Sequence, residues 1–380
     1  MIILLGSVSI LFAIAYLSLL LAIRRAWHQI PEQPPSLLQT TPFVTVIVIA
    51  RNEEQYITSC IQSIQNQNYT DACYEVLIFD DFSTDSTIDL SSQFESPQVR
   101  IIHLAEYINE NQSGSNKKKA IEIGVEQAKG NYILVTDADC ICPPDWIRSC
   151  VTALEHRGLN FVTGPVNCLK TDSFIGMYQV LDLAGLLIIT GAGFNNRIIQ
   201  SANGANMGFR KGAFESVGGY DGFKHLASGD DLFLLQKIEA AYPGTAGYIK
   251  SRSCMVTTRP QWGIRSFMDQ RIRWASKIRA ISHQSTRLML IFMMTYYFLI
   301  VGTFLLAWVQ PGWIVVFSIL FISKMIADHS IIRAGLEFTG QQVPVRLYFQ
   351  AEIFQILYSL VVGIRLLFRR SYTWKGRRTT

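Results

Sequence analysis

FVTVIVIA, residues 43–50, is an unbroken apolar run rich in β-branched residues and free of charge. It predicts a buried strand. Working outward, a helix is expected from about 53 to 67. A second strand follows at YEVLIFDD (74–81), then a helix after Ser83, and further strands at VRIIHL (99–104), NYILVTDAD (131–139) and NFVTGPV (160–166). Strands alternating with helices imply a largely parallel α/β sheet across residues 43 to about 250, with ligand sites at the carboxyl ends of its strands.

The flanks read differently. Hydrophobic residues make up 49% of the 380 and charged residues 17%, against about 25% charged in a soluble protein. The apolar excess sits in the first twenty-odd residues and after 287. Residues 2–23 carry no charge and are long enough to cross a bilayer. A signal peptide would place its positive charges before the apolar core, so 1–23 is expected to be an uncleaved anchor. Arg24-Arg25 behind it directs the succeeding domain to the cytoplasm. Residues 24–42, with Pro31, Pro34, Pro35 and Pro42, read as a linker. Further apolar blocks lie at 288–309, 313–326 and 351–368, two or three of them crossing the membrane, and a basic tail closes the chain at 369–380. Three crossings would leave that tail outside, against the positive-inside tendency, so one block is alternatively re-entrant or interfacial. Lys324 and Asp328, four apart, are expected to mark the cytoplasmic end of the second block, with an intramembrane pair as the alternative. The stretch 180–194 is too short to span and reads as interfacial or channel-lining.

The formal net charge is +5, much of it in clusters that flank apolar segments, at Arg24-Arg25, 265–279 and 369–378. Contact with anionic headgroups explains these clusters. No basic face with interleaved aromatics appears elsewhere, which argues against nucleic acid. The seven cysteines are odd in number and form no C-x-x-C pair. They suggest neither a disulfide framework nor a zinc site, and they suit a reducing cytosol.

Four constellations carry chemistry. Asp80-Asp81 ends a strand within DDFSTDST and suits hydrogen bonding to a base and ribose, with helix capping the plainer alternative. Asp137-Ala-Asp139 ends the strand YILVT. Carboxylates so spaced can hold Mg²⁺ or Mn²⁺ against a diphosphate, the remaining ligands being phosphate and water. Asp230-Asp231 opens an amphipathic helix, where the dipole favours an ionised carboxylate that can act as general base, or as N-cap. Gln270, Arg273 and Trp274 share one face of a helix: an amide, a guanidinium fork for phosphate oxygens and an indole platform for a sugar ring. Their plainer alternative is a membrane-interface Trp with snorkelling Arg. Cys140 and Cys142 read as packing residues, and His225 as a loop histidine rather than a metal ligand.

In order and spacing, VTVIVIARNEE, DDFSTDST, DAD, SANGANMGFRKGAFESVGGYD, SGDD and QRIRW resemble the family-two inverting glycosyltransferases. The membrane-bound branch, with cellulose, hyaluronan and poly-N-acetylglucosamine synthases and ceramide glucosyltransferases, is the nearest in kind, and TWKGR (373–377) fits it too. The resemblance covers about residues 43–280. It implies a GT-A-type (Rossmann-like) domain at 43–280, lying in the cytoplasm at the inner membrane, with a nucleotide-sugar donor and a lipid or glycan acceptor. It implies that Asp81 meets the base with Asp80 in support, that Lys117 lies near the base or diphosphate, and that Asp137 and Asp139 address diphosphate and metal. It makes Asp231 the catalytic base, and it has Gln270, Arg273 and Trp274 bind the leaving diphosphate and frame the acceptor. Asp230 stands where the family commonly has glutamate. Two other readings remain: a processive polysaccharide synthase, and a scaffold that kept the fold without catalysis.

Overall fold

A computed structural model describes residues 2–34, 40–110, 114–196, 199–226, 228–368, 372–374 and 377–379. In chain order the elements begin with α1 (Ile2–Gln29), β1 (Val44–Ala50), α2 (Ile57–Gln65), β2 (Tyr74–Asp80), α3 (Thr87–Ser92) and β3 (Val99–His103). They continue with α4 (Asn116–Gln127), β4 (Tyr132–Asp137), α5 (Trp146–His156), β5 (Phe161–Thr163), β6 (Val166–Cys168), α6 (Phe174–Asn196) and β7 (Met207–Arg210). Next come α7 (Lys211–Ser216), α8 (Asp230–Ala241), β8 (Ala246–Tyr248), β9 (Val256–Thr258) and α9 (Ile264–Ser276). Three long helices, α10 (Gln284–Val309), α11 (Trp313–Thr339) and α12 (Arg346–Phe368), precede the short β10 (Tyr372–Trp374) and β11 (Arg377–Thr379). They form two units: residues 31–169, 200–260 and 371–380 make an α/β unit, and residues 1–30, 170–199 and 261–370 a helical one. The helical unit thus takes in 170–199 and 261–280, which the sequence reading keeps within the 43–280 domain.

In the α/β unit all seven residues of β1 are buried, as a strand covered on both faces requires. The main sheet runs β3-β2-β1-β4-β7-β5-β8. It is parallel from β3 to β4, β7 is antiparallel to both neighbours, and β5 and β8 are parallel. The register pairs Ala50 with Asp80 and Ile49 with Asp137, so two acidic strand ends flank the end of β1. Because β2 and β4 leave β1 on opposite sides, this is the switch point where such sheets bind ligands. Helix α2 closes one face with Ile57, Cys60, Ile61 and Ile64 buried, spacing that matches a helical stripe.

Two expectations change. The helix expected from 53 begins at Ile57, because Asn52 turns left-handed (φ 51°) and the amides of Glu53 and Glu54 bond to Thr87 Oγ1 and Asp85 Oδ2. NFVTGPV is broken at Gly164-Pro165 into β5, in the main sheet, and β6, which pairs with β9 in a small separate sheet. A side chain at Gly164 would sit 2.5 Å from Asn206 Nδ2.

Among the described residues of the helical unit, five helices are long and apolar enough to cross a membrane: α1, α6, α10, α11 and α12. The apolar stretch at 180–194 is part of the 23-residue α6, which carries Gln179 and Asp182 within it and packs against α1 and α11. Helix α11 runs on past 326 to Thr339 and buries Lys324 and Asp328 well inside its length. Lys324 Nζ meets Asp328 Oδ2 at 2.5 Å, Gln355 Oε1 at 2.7 Å and the Glu352 carboxylate. Tyr16 of α1 donates to Asp328 at 2.6 Å. The pair is an interhelical cluster, not a helix end. Helix α1 likewise continues through Arg24-Arg25 to Gln29.

Candidate active site

Two strand-end loops lock together. Asn52 Oδ1 accepts from the Thr84 amide at 2.8 Å, Ser83 Oγ accepts from the Asn52 amide at 3.1 Å, and Glu54 accepts from the Ser86 amide at 3.1 Å. Phe82 sits at φ 55°, which a bulky residue rarely adopts. This clasp uses NEE and STDST mostly on each other. Asp80 accepts from the Ser83 amide at 3.2 Å, while Asp81 is wholly buried.

The first turn of α4 then reaches three places with three successive residues. Asn116 Nδ2 donates to Asp81 Oδ1 at 2.6 Å. Lys117 Nζ lies 2.6 Å from Asp137 Oδ1 and 3.2 Å from Asp230 Oδ2. Lys118, 1% exposed, donates to the carbonyls of Phe223, Leu226 and Ser228 at 2.7–3.0 Å and lies over the Phe233 ring. Ser115 caps the helix by accepting from the Lys118 amide. Burial opposes the charge of Lys117, but Asp137 and Asp230 outweigh it and hold its pKa above the ordinary value.

Gly204 makes this approach possible: a Cβ there would lie 2.8 Å from Asp230 Oδ2 and 3.1 Å from Lys117 Nζ. The loop holding Gly204 is fixed by Asn206, which accepts from Trp146 Nε1 and donates to the carbonyls of Pro165 and Cys254. Asp231, in the first turn of α8, accepts from the Leu232 amide at 2.7 Å and is 7% exposed. Gly229 before it is left-handed at φ 87°, which a glycine takes without strain. Burial first, then Asp230 and Asp231, pushes the Tyr220 phenol above its usual pKa.

Among the described residues no group of three or more His, Cys, Asp or Glu side chains is arranged to hold a metal. The chemistry of the acidic strand end nonetheless fits a hard cation. Asp137 is 40% exposed, and Asp139, itself part-exposed, accepts from Thr258 Oγ1 at 3.4 Å. Two oxygen donors at an open edge suit Mg²⁺ or Mn²⁺, which complete their shells with phosphate and water. Cys140 and Cys142 are buried packing residues; burial raises both thiols, Cys142 to about 12. His225 is exposed on its loop.

The structure therefore brings Asp80, Asp81, Lys117, Asp137, Asp139, Asp230 and Asp231 to one edge of the α/β unit. Gln270, Arg273 and Trp274 lie on α9, in the helical unit. Gln270 Oε1 and Arg273 Nε are shielded and have no hydrogen-bond partner among the described residues. Lys375 and Gly376 of TWKGR fall outside the described residues. Sequence reasoning missed Asn116, Lys118 and Gly204. Only Ser115, a standard N-cap residue ahead of the lysines, marked where that helix turn begins.

Residues 45–218 match the Glycosyl transferase family 2 domain, and residues 132–328 match Glycosyl transferase family group 2. Glycosyltransferase AglE of Haloferax volcanii is 27% identical over 205 residues, 52% of this chain and 61% of that protein. A dolichyl N-acetylglucosaminyl phosphate glucuronosyltransferase of Methanococcus voltae is 30% identical over 114 residues, 30% of this chain and 34% of that protein. The chain thus spans less than two-thirds of the length of either relative. In fold, it is similar to the mannosyltransferase PcManGT of Pyrobaculum calidifontis, solved with GDP-mannose and Mn²⁺. The TM-score is 0.55 at 17% identity, covering 95% of this chain and 99% of that one.

Proposed function

The chain belongs to glycosyltransferase family 2, and on that premise we propose that it transfers a sugar, with inversion, from a nucleotide-sugar donor to a hydroxyl of a lipid, lipid-linked or glycan acceptor. The observation that carries this reading is the convergence of Asp137, Lys117 and Asp230 within 3.2 Å. It gathers cation-binding and anion-binding groups for a diphosphate beside the carboxylate of Asp231. Asp81 and Asp80 take the base and ribose. Asp137 and Asp139 hold Mg²⁺ or Mn²⁺, which when bound neutralises charge on the diphosphate. The donor and Mn²⁺ named for PcManGT, and the dolichyl-linked substrate named for the M. voltae enzyme, support the donor, metal and lipid parts of the proposal.

Asp231 accepts the acceptor's proton. The freed oxygen forms its bond to the anomeric carbon on the face opposite the diphosphate. The bond from that carbon to the diphosphate oxygen breaks, and its electron pair leaves with the nucleoside diphosphate. Lys117 and Arg273 stabilise the charge that develops on this group, a contribution that is often the largest in catalysis. Gln270 and Trp274 contact diphosphate and acceptor. The long apolar helices support a membrane-associated enzyme, and on this proposal the α/β unit works on the cytoplasmic side of the inner membrane.

The test is a panel of nucleotide sugars offered to purified enzyme in detergent, read by diphosphate release. Chelation should abolish release and Mn²⁺ or Mg²⁺ should restore it. Full activity in excess chelator would remove the metal from the proposal, and no release with any donor would favour the inactive scaffold.

A further inference from the structure

We infer that Arg271, paired with Asp182, is a positioning residue that fixes the indole of Trp274. The inference rests on the assignment of Trp274 to acceptor binding. Arg271 is the one arginine of QRIRW to which the proposed reaction gives no role. It points into the helical unit, 8% exposed, and its Nη1 meets Asp182 Oδ2 at 2.7 Å. Asp182 is the sole charged residue of α6. A carboxylate inside a long apolar helix is costly and is kept where it does something specific.

A buried ion pair alone is weak grounds for stability, since apolar residues of equal volume dock helices as well or better. What the pair adds here is orientation. The Arg271 guanidinium lies over the Phe267 ring at 4.7 Å and over the Trp274 ring at 4.4 Å. These residues stand one turn before and one turn after it on α9. Asp182 holds the guanidinium, and the guanidinium covers one face of the indole, leaving only the other face for a ligand. Tyr178, whose hydroxyl lies 3.4 Å from Asp182 Oδ1, packs edge-on against Phe267 at 5.7 Å and closes the arrangement. A flat, delocalised guanidinium can be paired at its edge and stacked on its face at once, whereas a lysine ammonium, a compact point charge, offers no plane to lie against the indole.

That difference supplies the test on the full-length enzyme in detergent. Arg271→Lys keeps the charge opposite Asp182 and removes the stacking plane. Acrylamide quenching of Trp274, taken as the difference between each protein and its Trp274→Phe counterpart, should rise about twofold. Turnover with a lipid extract of the host membrane as acceptor source should fall about tenfold, since small misplacements of substrate-contacting groups are costly. Half-saturation by donor and the melting temperature should stay near wild type. In a Trp274→Ala background, Arg271→Lys should cost nothing more. Wild-type quenching and turnover in Arg271→Lys, or losses that multiply with those of Trp274→Ala, would overturn the inference. Where lysine is not tolerated, the uncharged double variant Asp182→Asn/Arg271→Gln should show the same rise in quenching; unchanged quenching there overturns it equally. Undiminished turnover in Trp274→Ala would instead refute the acceptor-binding assignment on which the inference rests.

Discussion

In the helical unit, two buried cations are closed on carboxylates: Lys324 on Asp328 and Glu352, Arg271 on Asp182. At the edge of the α/β sheet, Asp80, Asp81, Asp137, Asp139, Asp230 and Asp231 outnumber Lys117 and Arg51. The difference separates two uses of charge. Charges closed on each other belong to the architecture, and losing one partner exposes the cost of burying the other. Carboxylates in excess at an open edge repel each other and favour a cation that arrives with the substrate.

The comparison is tested hardest at Asp231. Asp231→Asn should cut transfer by about 10²–10⁴-fold while donor binding survives, because an amide keeps the shape and cannot take the proton. Calorimetry of donor binding beside turnover decides this. Lost binding with an unchanged rate per bound donor would make Asp230 the base. In the helical unit, Lys324→Met should lower stability by about 3–5 kcal/mol by stranding Asp328 and Glu352. Neutralising all three together should recover most of the loss in a detergent melt. If Lys324→Met melts like the wild type, the cluster is not the closed structural kind.

A smaller effect is expected from Gly204→Ala, whose methyl group would part Asp230 from Lys117. Overpacking of this kind costs about 1–3 kcal/mol, and donor affinity should drop with stability. Undiminished donor affinity would detach the lysine from the acidic edge. His225→Ala should change stability by no more than about 0.5 kcal/mol and leave the metal requirement as it was. A weakened metal response would enlarge the acidic edge by one residue.

The parallel half of the sheet was legible because 43–50, 74–81 and 131–139 are rich in apolar and β-branched residues, and the aspartates that end the last two announced the acidic edge. Strand β7 was not, since MGFR is short, holds a glycine and has no alternation. In the lysine run at 117–119 the sequence singled out Lys117 alone, although Lys118 is nearly as buried as the strands. Its partners lie more than 100 residues away, beyond the reach of periodicity. The Arg271–Asp182 pair was hidden for the same reason, and the Lys324 cluster because three helices contribute to it.

The antiparallel insertion of β7 also bears on how the chain is made. Strand β4 leaves the ribosome with β1 already available on one side, yet its other partner, β7, comes only after all of α6 has been synthesised. Until then β4 is a bare edge, open to pairing with other chains. The pairing of Val135 with Met207 is therefore a long-range closure, of the kind that slows folding. The nascent α/β unit stays unfinished while the growing chain delivers an apolar helix to the helical unit and returns. Synthesis halted before 200 would leave Thr136 and Lys117 without the 200–206 loop that meets them, and the acidic edge would be completed only in the second half of translation.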